Sequence, residues 1–257
     1  MIIGIPSEIK TGEVRVAMVP SNVEAMVSKG AKVLMQSGAG VNAGYLDAEY
    51  EAVGATFTDD RGEIFATADI VIQVQSFGSN NENSDSDLSH LRAGQLVIGM
   101  MDPLASPAAA KSVADTGASA LALELVPRIS RAQSMDVLSS MATLAGYKAV
   151  LMAASASSRI FPMLMTAAGT LAPARVLIMG VGVAGLQACA TAKRLGAVVE
   201  AYDVRPAARE QIISVGAKPV ELELDTDESE GSGGYAKQQG EEFLARQREL
   251  MTAVVAQ

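Results

Sequence analysis

The chain contains one cysteine, one histidine and no tryptophan. A single cysteine cannot form a disulfide framework or a cysteine-rich metal site, so we expect neither, and no metal centre. Positive charge is also scarce, because 20 Lys and Arg stand against 29 Asp and Glu, which gives a net charge of −9. This balance argues against nucleic acid as a partner and against a basic surface that would bind membrane lipid.

The N-terminal segment lacks the basic, apolar and small-residue succession of a signal peptide. No apolar stretch is evident with the length of a membrane span, which is about 20 residues. The sequence therefore predicts a cytoplasmic protein with no direct membrane insertion.

Aliphatic side chains are abundant and bring the hydrophobic fraction to 49% of the 257 residues. This mix is typical of α/β proteins whose parallel strands are buried on both faces. Strand and helix patterns alternate through the first half, as βαβ units do. By contrast, the polar segment 79–89 predicts an exposed, mobile loop. The predicted strands of this half are 1–5, 32–35, 70–74, 95–101 and 119–123, and predicted helices include 22–28, 105–116 and, near the C-terminus, 241–255.

We expect an α/β fold with two Rossmann-like parallel-sheet domains joined by a long helix. The predicted boundaries are 1–135 for the N-terminal domain, 136–165 for the linking helix and 166–257 for a nucleotide-binding domain. A turn at 169–173 leads into the second domain. A dinucleotide fold normally has two βαβαβ halves. Only the first half is evident in the second domain, which is therefore predicted to be incomplete.

The most informative motif is a glycine turn between a strand pattern at 176–179 and a helix pattern at 186–195. It consists of Gly180, Gly182 and Gly185 in the spacing G-x-G-x-x-G. In dinucleotide sites these glycines permit a tight turn, close approach of the backbone to the pyrophosphate, and close packing of helix on strand. The helix N-terminus then offers N–H groups and the positive end of its dipole to the phosphates.

A second strand pattern at 198–202 ends at Asp203, close to the spacing of about twenty residues expected for the acid of such a site. A carboxylate at this position can accept hydrogen bonds from both ribose hydroxyls and would repel a 2′-phosphate, which favours NAD over NADP. Arg205 follows two residues later and could meet a 2′-phosphate, so NADP is not excluded. We interpret Arg205 instead as a solvated charge at the strand end or a lid over the adenine.

A second candidate site lies at 124–140, between the last strand of the first domain and the linking helix. This segment carries two arginines, Gln133 and Asp136, without apolar periodicity. Loops at the carboxyl ends of strands are where open α/β sheets hold ligands. The alternative is an ordinary loop in which Ser134 or Asp136 caps the helix and the arginines are solvated. These residues alone leave both interpretations open.

Three stretches together resemble proton-translocating NAD(P) transhydrogenase: PRISRAQSMD at 127–136, MLMTAAGT at 163–170 and GVGVAGLQA at 180–188. The likeness is to the NAD(H)-binding peripheral domain of the alpha subunit and runs over essentially the whole chain. In that family the domain binds NADH and passes a hydride to NADP on a separate domain, coupled to proton movement through a membrane domain. The resemblance implies the same activity, with NAD(H) on this chain and NADP(H) on a partner domain.

The resemblance also implies site residues. Arg128, Gln133, Asp136 and Ser139 match the family's nicotinamide-contacting loop and are the candidate catalytic residues. Gln133 could pair with the carboxamide and so fix which face of the nicotinamide ring is presented. Hydride transfer between two nicotinamides needs no general acid or base, so the residues of this loop would orient the ring rather than move a proton. Tyr235 would lie on a mobile loop that closes over bound nucleotide. The implied cofactor-binding residues are Arg128, Ile129, Ser130, Gln133, Ser134, Met135, Asp136, Gly180, Val181, Gly182, Val183, Gly185, Asp203, Val204, Arg205, Gly234, Tyr235 and Gln247.

The partners implied by the resemblance are the transhydrogenase membrane domain and the NADP-binding domain or subunit, together with a second copy of this chain in a homodimer. The chain would then be cytoplasmic and peripheral to the inner membrane through those partners. The family's nucleotide domain continues with further strands, so the resemblance also implies a chain truncated at its C-terminus.

Two alternative functions stay open. Alanine dehydrogenase shares the two-domain architecture but needs a lysine and a histidine near its pyruvate site besides an arginine. Arg15 is present, but the lysine position carries Gln75, the histidine position near 100–102 carries no histidine, and His90 lies in the polar segment. The other alternative is a truncated NAD-binding module without catalytic activity.

Overall fold

A computed structural model describes residues 1–80, 84–224, 229, 231 and 236–256. The chain divides into two compact units, Met1–Asp136 and Val137–Gln257. Each unit contains a parallel β-sheet whose strands alternate with helices along the chain. The predicted α/β class with a parallel sheet in each half is therefore confirmed.

The first unit contains a parallel sheet of six strands among the described residues, in the order β3-β2-β1-β4-β5-β6. This order reverses between β1 and β4, and such a switch point is where doubly wound sheets form a crevice at the strand carboxyl ends. The strands are β1 Ile2–Ile5, β2 Lys32–Gln36, β3 Ala55–Thr58, β4 Ile70–Gln75, β5 Leu96–Met100 and β6 Ser119–Ala122. The helices are α1 Pro20–Val27, α2 Asp47–Glu51, α3 Arg61–Thr67, α4 Ser84–Leu88 and α5 Pro107–Asp115, with 3-10 turns at Val41–Ala43, Phe77–Ser79, Leu123–Leu125 and Ser130–Met135.

The β3 strand was missed by the sequence prediction. It is a four-residue edge strand in which only Ala55 is buried, while the other three residues are partly or fully exposed. Short edge strands bury little, so this segment lacks the apolar run by which the central strands were found.

The prediction of an exposed loop at 79–89 was wrong for the part that the structure describes. Ser79 closes a 3-10 turn and α4 follows at Ser84–Leu88. The Asp87 side chain is buried and forms a two-pronged ion pair with Arg61, whose Nε and Nη2 each donate at 2.7 Å. The guanidinium also lies 5.4 Å from the centre of the Phe65 ring. The buried carboxylate of Asp87 and its pairing with Arg61 make this polar segment part of the packed unit.

The second unit contains a parallel sheet in the order β11-β10-β9, which is the strand order of the first half of a dinucleotide-binding sheet. A separate antiparallel hairpin precedes it. Its described strands are β7 Leu164–Thr166, β8 Gly169–Leu171, β9 Arg175–Met179, β10 Val198–Tyr202 and β11 Lys218–Pro219. Its described helices are α6 Val137–Ala156, α7 Val183–Arg194, α8 Ala208–Ser214 and α9 Glu241–Val255.

The hairpin corrects the predicted turn at 169–173. Leu164 to Thr166 pair with Gly169 to Leu171, and Gly169, the first residue of β8, adopts a φ of +137°. Both strands are exposed along their full length, including Met165 at 77%. An exposed hairpin of this kind has no alternation of buried and exposed residues, which explains why the strand pattern was not recognised.

The α6 helix is 20 residues long and, by length and composition alone, apolar enough to cross a membrane. The expectation that no stretch has that length was therefore wrong. Only 11% of this apolar stretch is buried in the described structure, and α6 packs along α7 through small residues. At Gly146 a Cβ atom would collide with the carbonyl oxygen of Ala184, so the two backbones approach closely.

Candidate functional site

The glycine turn joins β9 to α7, and two of its glycines are required by local geometry. Gly180 has a φ of +85°, a left-handed conformation that side chains rarely adopt. At Gly185 a Cβ atom would collide with the carbonyl oxygen of Gly180, so glycine allows the helix to pack on the end of the strand. The tight turn and the close packing expected from the motif are both present.

Gly182 is different, because a Cβ atom there would meet no atom within 4 Å. It is the N-cap of α7, has a φ of −80°, and supplies no side-chain hydrogen bond to the helix. Gly182 and Val183 are exposed, so the positive end of the helix dipole is accessible. This is the arrangement that binds phosphate groups in dinucleotide folds.

Asp203 follows the last residue of β10 and reaches back to the glycine turn. Its Oδ2 accepts a hydrogen bond from the backbone N–H of Val181 at 2.7 Å, so the acid and the turn are held together. Burial alone would raise the pKa of the Asp203 carboxyl. Hydrogen bonds from the side chain and backbone of Arg205 and from Val181 outweigh burial and hold this pKa below its ordinary value.

Arg205 is not the solvated charge that the sequence suggested. Its Nε lies 2.9 Å from Asp203 Oδ1 and its Nη2 lies 3.0 Å from Asp203 Oδ2. The same Nη2 donates to the carbonyl oxygen of Val181 at 3.0 Å. Only Val204 separates the partners in sequence, but the turn after β10 is what directs the guanidinium back onto the acid, which spacing alone does not reveal.

A cavity of about 240 Å³ lies beside this pair and is lined by Asp203, Val204, Arg205 and Arg209 among others. Tyr202, at the end of β10, also lines it and accepts a hydrogen bond from Gln247 Nε2 at 2.9 Å. Gln247 therefore reaches the strand end from α9. The predicted cofactor residues Gly234 and Tyr235 lie outside the described residues.

The residues predicted to contact the nicotinamide lie at the C-terminal end of the first unit, apart from Ser139. Arg128 Nε lies 3.3 Å from Asp136 Oδ2, which ties the two ends of the loop together. Ser130–Met135 between them forms a 3-10 helix rather than an irregular loop, with Ala132 buried beneath it. The remaining predicted side chains of this segment point outward as exposed residues: Ile129, Ser130, Gln133, Ser134 and Met135.

Ser139 belongs to α6 and hence to the second unit. Its carbonyl oxygen accepts a hydrogen bond from Thr143 Oγ1 at 3.0 Å. The structure thus groups the predicted residues into two sets, one in each unit. Arg128, Gln133 and Asp136 share the ordered end of the first unit, while the glycine turn, Asp203, Arg205 and Gln247 share one corner of the second.

A cluster of charges near the β1/β4 switch point of the first unit was not predicted from the sequence. Arg15 forms a two-pronged ion pair with Glu13, with Nε 2.7 Å from Oε1 and Nη2 2.5 Å from Oε2. Gln75 Nε2 donates to Glu13 Oε2 at 3.1 Å. These bonds lower the pKa of Glu13 to about 2. Arg15 is therefore engaged by a carboxylate of the chain itself.

Glu8 lies next to this cluster and accepts hydrogen bonds from the backbone N–H groups of Val74 and Gln75, at 2.6 and 2.9 Å. Burial nevertheless raises its pKa, and the nearby Glu13 charge adds to the rise. Its bonds hold the end of β4, which is the structural role of a buried acceptor. Among the described residues no group of His, Cys, Asp and Glu is arranged to hold a metal ion.

A larger cavity of about 430 Å³ opens beside β5 and β6 of the first unit. Its walls are apolar and include Phe77, Met101, Val113 and Leu125. Pro127, directly before Arg128, also lines it. With no titratable side chain in its lining, this cavity has no group that could carry chemistry.

Two family models match the chain. The model described as "Alanine dehydrogenase/PNT, N-terminal domain" matches residues 4–145, and "Alanine dehydrogenase/PNT, C-terminal domain" matches residues 149–257. Together they cover nearly all of the chain.

Among curated relatives, the first part of the NAD(P) transhydrogenase alpha subunit of Rhodospirillum rubrum is 46% identical over 252 residues, which is 98% of this chain and 65% of the relative. An alanine dehydrogenase of Halomonas elongata is 32% identical over 79% of this chain and 53% of its own length. The crystal structure of transhydrogenase from Sinorhizobium meliloti superposes with a TM-score of 0.81 at 46% identity, covering 86% of this chain and 64% of that one. The chain thus spans less than two thirds of the length of these two transhydrogenase proteins, and about half of the alpha subunit of Cereibacter sphaeroides, to which it is 42% identical.

Proposed function

Because the chain belongs to the alanine dehydrogenase/PNT family, we propose that it is the NAD(H)-binding component of a proton-translocating NAD(P) transhydrogenase. It presents NADH for direct hydride transfer to NADP that is bound on a partner domain. The higher identity to transhydrogenase subunits than to alanine dehydrogenase supports this choice within the family.

The observation that carries the proposal is the hydrogen bond between Asp203 and the backbone of Val181 in the glycine turn. It joins the two halves of a nucleotide site, an accessible helix N-terminus and an acid at the end of the next strand. Gly182 leaves room at the turn for a phosphate, since a side chain there would meet only open space. The residues present therefore fit the dinucleotide, which in its reduced form, NADH, would supply the hydride when bound.

The chain's own residues bind and orient the nucleotide. The N-terminus of α7, at Gly182 and Val183, holds the pyrophosphate through backbone N–H groups. The N–H of Val181 is donated to Asp203, so Val181 shapes the turn instead. Asp203 accepts hydrogen bonds from the ribose hydroxyls, and the cavity beside Asp203 receives the adenine. Val204 lines that cavity and Gln247 braces Tyr202 at its edge.

We propose that residues at the C-terminal end of the first unit contact the nicotinamide ring and fix its orientation. Arg128 and Asp136 close a short 3-10 helix, and Gln133 on that helix is exposed and available to the carboxamide. Ser139, in the first turn of α6, is a further proposed contact of the nicotinamide. Orientation of this kind can account for several kcal/mol of a barrier, up to about 7–11 kcal/mol in model reactions. No general acid or base is needed because no substrate proton is released.

Alanine dehydrogenase chemistry is disfavoured by the switch-point cluster of the first unit. An amino-acid dehydrogenase needs an arginine that is open to the substrate carboxylate. Arg15 is instead paired with Glu13, and Gln75 donates to the same carboxylate. Substrate would have to displace an internal ion pair.

We further propose that the chain forms a homodimer and associates with the membrane and NADP-binding parts of the enzyme, so that it lies at the cytoplasmic side of the inner membrane. The β7–β8 hairpin supports the dimer, because Leu164, Met165 and Leu171 expose apolar surface on both strands. Exposed apolar patches of this kind mark interaction surfaces.

Titration with NADH and NADPH tests the proposal. Binding is followed through the change in NADH fluorescence. Saturable binding of NADH, tighter than that of NADPH, is expected. Absence of NADH binding at millimolar concentration would mean that the chain is not competent by itself and would favour a module without nucleotide function.

A further inference from the structure

The carboxylate that the NAD site needs for the ribose is fully occupied in this structure. Oδ1 of Asp203 accepts from the backbone N–H and from Nε of Arg205, both at 2.9 Å. Oδ2 accepts from the backbone N–H of Val181 at 2.7 Å and from Nη2 of Arg205 at 3.0 Å. An ionised carboxylate has about four acceptor positions, so these four donors fill them.

The arginine is held firmly in this position. Its Nη2 also donates to the carbonyl oxygen of Val181 at 3.0 Å, so the guanidinium bridges the strand end and the glycine turn. The Arg205 and Asp203 side chains are only 14% and 8% exposed. Two-pronged pairs between arginine and carboxylate are about twice as strong as neutral hydrogen bonds.

A ribose binds a carboxylate by donating its two hydroxyl protons. With every acceptor position filled, the diol can bind Asp203 only when donors withdraw. The backbone N–H groups of Val181 and Arg205 are fixed by the turn and by the strand end. The guanidinium of Arg205 is carried on rotatable bonds and is the donor that can leave.

We propose that Arg205 is a specificity-determining residue of the nucleotide site, whose guanidinium competes with the ribose diol for Asp203 and is displaced when NAD binds. This inference rests on the proposed function, since it concerns the same site. It differs from a simple contact role in one respect: Arg205 opposes binding of the nucleotide until the exchange has taken place.

The competition also explains how a site with an arginine near its acid can reject NADP. While Arg205 is paired with Asp203, its donors point at the carboxylate and its charge is neutralised. A 2′-phosphate has no proton to donate to Asp203 at neutral pH in its dianionic form, so it cannot take the place of the guanidinium. When NAD binds, the hydroxyl donors of the ribose replace the guanidinium donors of Arg205 at Asp203. When NADP binds, the carboxylate of Asp203 would instead face the negatively charged 2′-phosphate.

Arg209 provides a matched control. It lines the same cavity, but its ion pair is with Glu221, at 2.5 Å, and both side chains are more than half exposed. Removal of either arginine changes the charge of the cavity equally. Only removal of Arg205 releases acceptor positions on Asp203.

The test uses the full chain with Arg205→Met, which keeps the length of the aliphatic stem and removes every donor, and with Arg209→Met. NADH titrations should give about tenfold tighter binding for Arg205→Met than for wild type, and no tightening for Arg209→Met, which leaves Asp203 fully hydrogen-bonded. Asp203→Asn should bind NADPH about tenfold more tightly than wild type, because it frees the Arg205 guanidinium for the 2′-phosphate, and adding Arg205→Met should abolish that gain.

A second readout does not depend on nucleotide. In the free protein, Arg205→Met should raise the pKa of Asp203, followed by NMR of its carboxyl carbon, because two hydrogen bonds and a positive charge are lost. Thermal melts check that each variant folds, and Arg205→Leu, which also has no donor, repeats the experiment if the methionine variant does not.

The outcomes separate the two claims. Wild type that binds NADH while Arg205→Met binds equally or more weakly overturns the competition and makes Arg205 an ordinary nucleotide contact. Equal tightening by Arg209→Met assigns the effect to net charge and also overturns it. Failure of wild type and of every variant to bind NADH overturns the proposed function, and this inference falls with it.

Discussion

Two glycines of the same turn separate folding from binding. At Gly185 a methyl group would collide with the carbonyl oxygen of Gly180, whereas at Gly182 it would meet no atom within 4 Å. Gly182 also has a φ of −80°, which any residue can adopt. We therefore expect Gly185→Ala to destabilise the second unit and Gly182→Ala to leave its stability almost unchanged.

The magnitudes follow from these contacts. Both atoms that clash at Gly185 are held by backbone, so the clash is relieved only by moving the start of α7 away from β9, and overpacking of this kind costs about 1–3 kcal/mol. At Gly182 two effects oppose each other. Alanine is a poorer N-cap than glycine by about 0.5 kcal/mol, but it restricts the unfolded chain, which favours the fold by about 0.4–1 kcal/mol.

Binding should respond in the opposite way. The added methyl group of Gly182→Ala occupies the space through which the backbone would approach the pyrophosphate, so NADH binding should weaken at least about tenfold. Urea unfolding measures the stability of both variants, and NADH titration measures the affinity. Wild-type affinity in Gly182→Ala, or wild-type stability in Gly185→Ala, would refute the reasoning.

Further variants probe other parts of the account. Asp203→Ala should weaken NADH binding in titrations because the ribose loses its acceptor; unchanged affinity would mean that the ribose is held elsewhere. Gln133→Asn should slow hydride transfer more than it weakens NADH binding, and equal losses in both would contradict an orienting role. Glu13 has its pKa lowered to about 2 from an ordinary 4.5, so its stabilising effect is present above pH 5 and is lost as the pH falls. By pH 3 wild type should therefore lose about 1–2 kcal/mol relative to Glu13→Gln in urea unfolding, with solvent screening of the Arg15 pair included, and the same acid sensitivity in both proteins would refute the contribution of that pair. Met165→Asp should convert the proposed dimer into monomers in analytical ultracentrifugation, whereas a dimer that persists would place the interface elsewhere.

The features that could be predicted from the sequence are those fixed by local geometry. Gly180 needs a positive φ and Gly185 needs the absence of a side chain, so both requirements are visible in the spacing itself. The strand Val198–Tyr202 and the helix Glu241–Val255 were likewise predicted with their observed bounds, since each has a continuous pattern.

The features that were missed depend on contacts between distant or turning segments. The Arg61–Asp87 pair joins residues 26 apart, and no local pattern marks Asp87 as buried. Arg205 lies only two residues from Asp203, yet its direction is set by the turn after β10 and by the carbonyl of Val181. Side-chain direction in a turn depends on tertiary packing, which one sequence does not display.

The central claim is that this chain binds NADH and presents it for direct hydride transfer. The most direct measurement follows deuterium from NADH labelled at the transferred position of the nicotinamide, with the chain mixed with an NADP-loaded domain from a transhydrogenase of the family. The account predicts that the label appears in NADPH without loss to water, and only when both proteins are present. Label in the solvent, or no transfer by a chain that binds NADH, would contradict it.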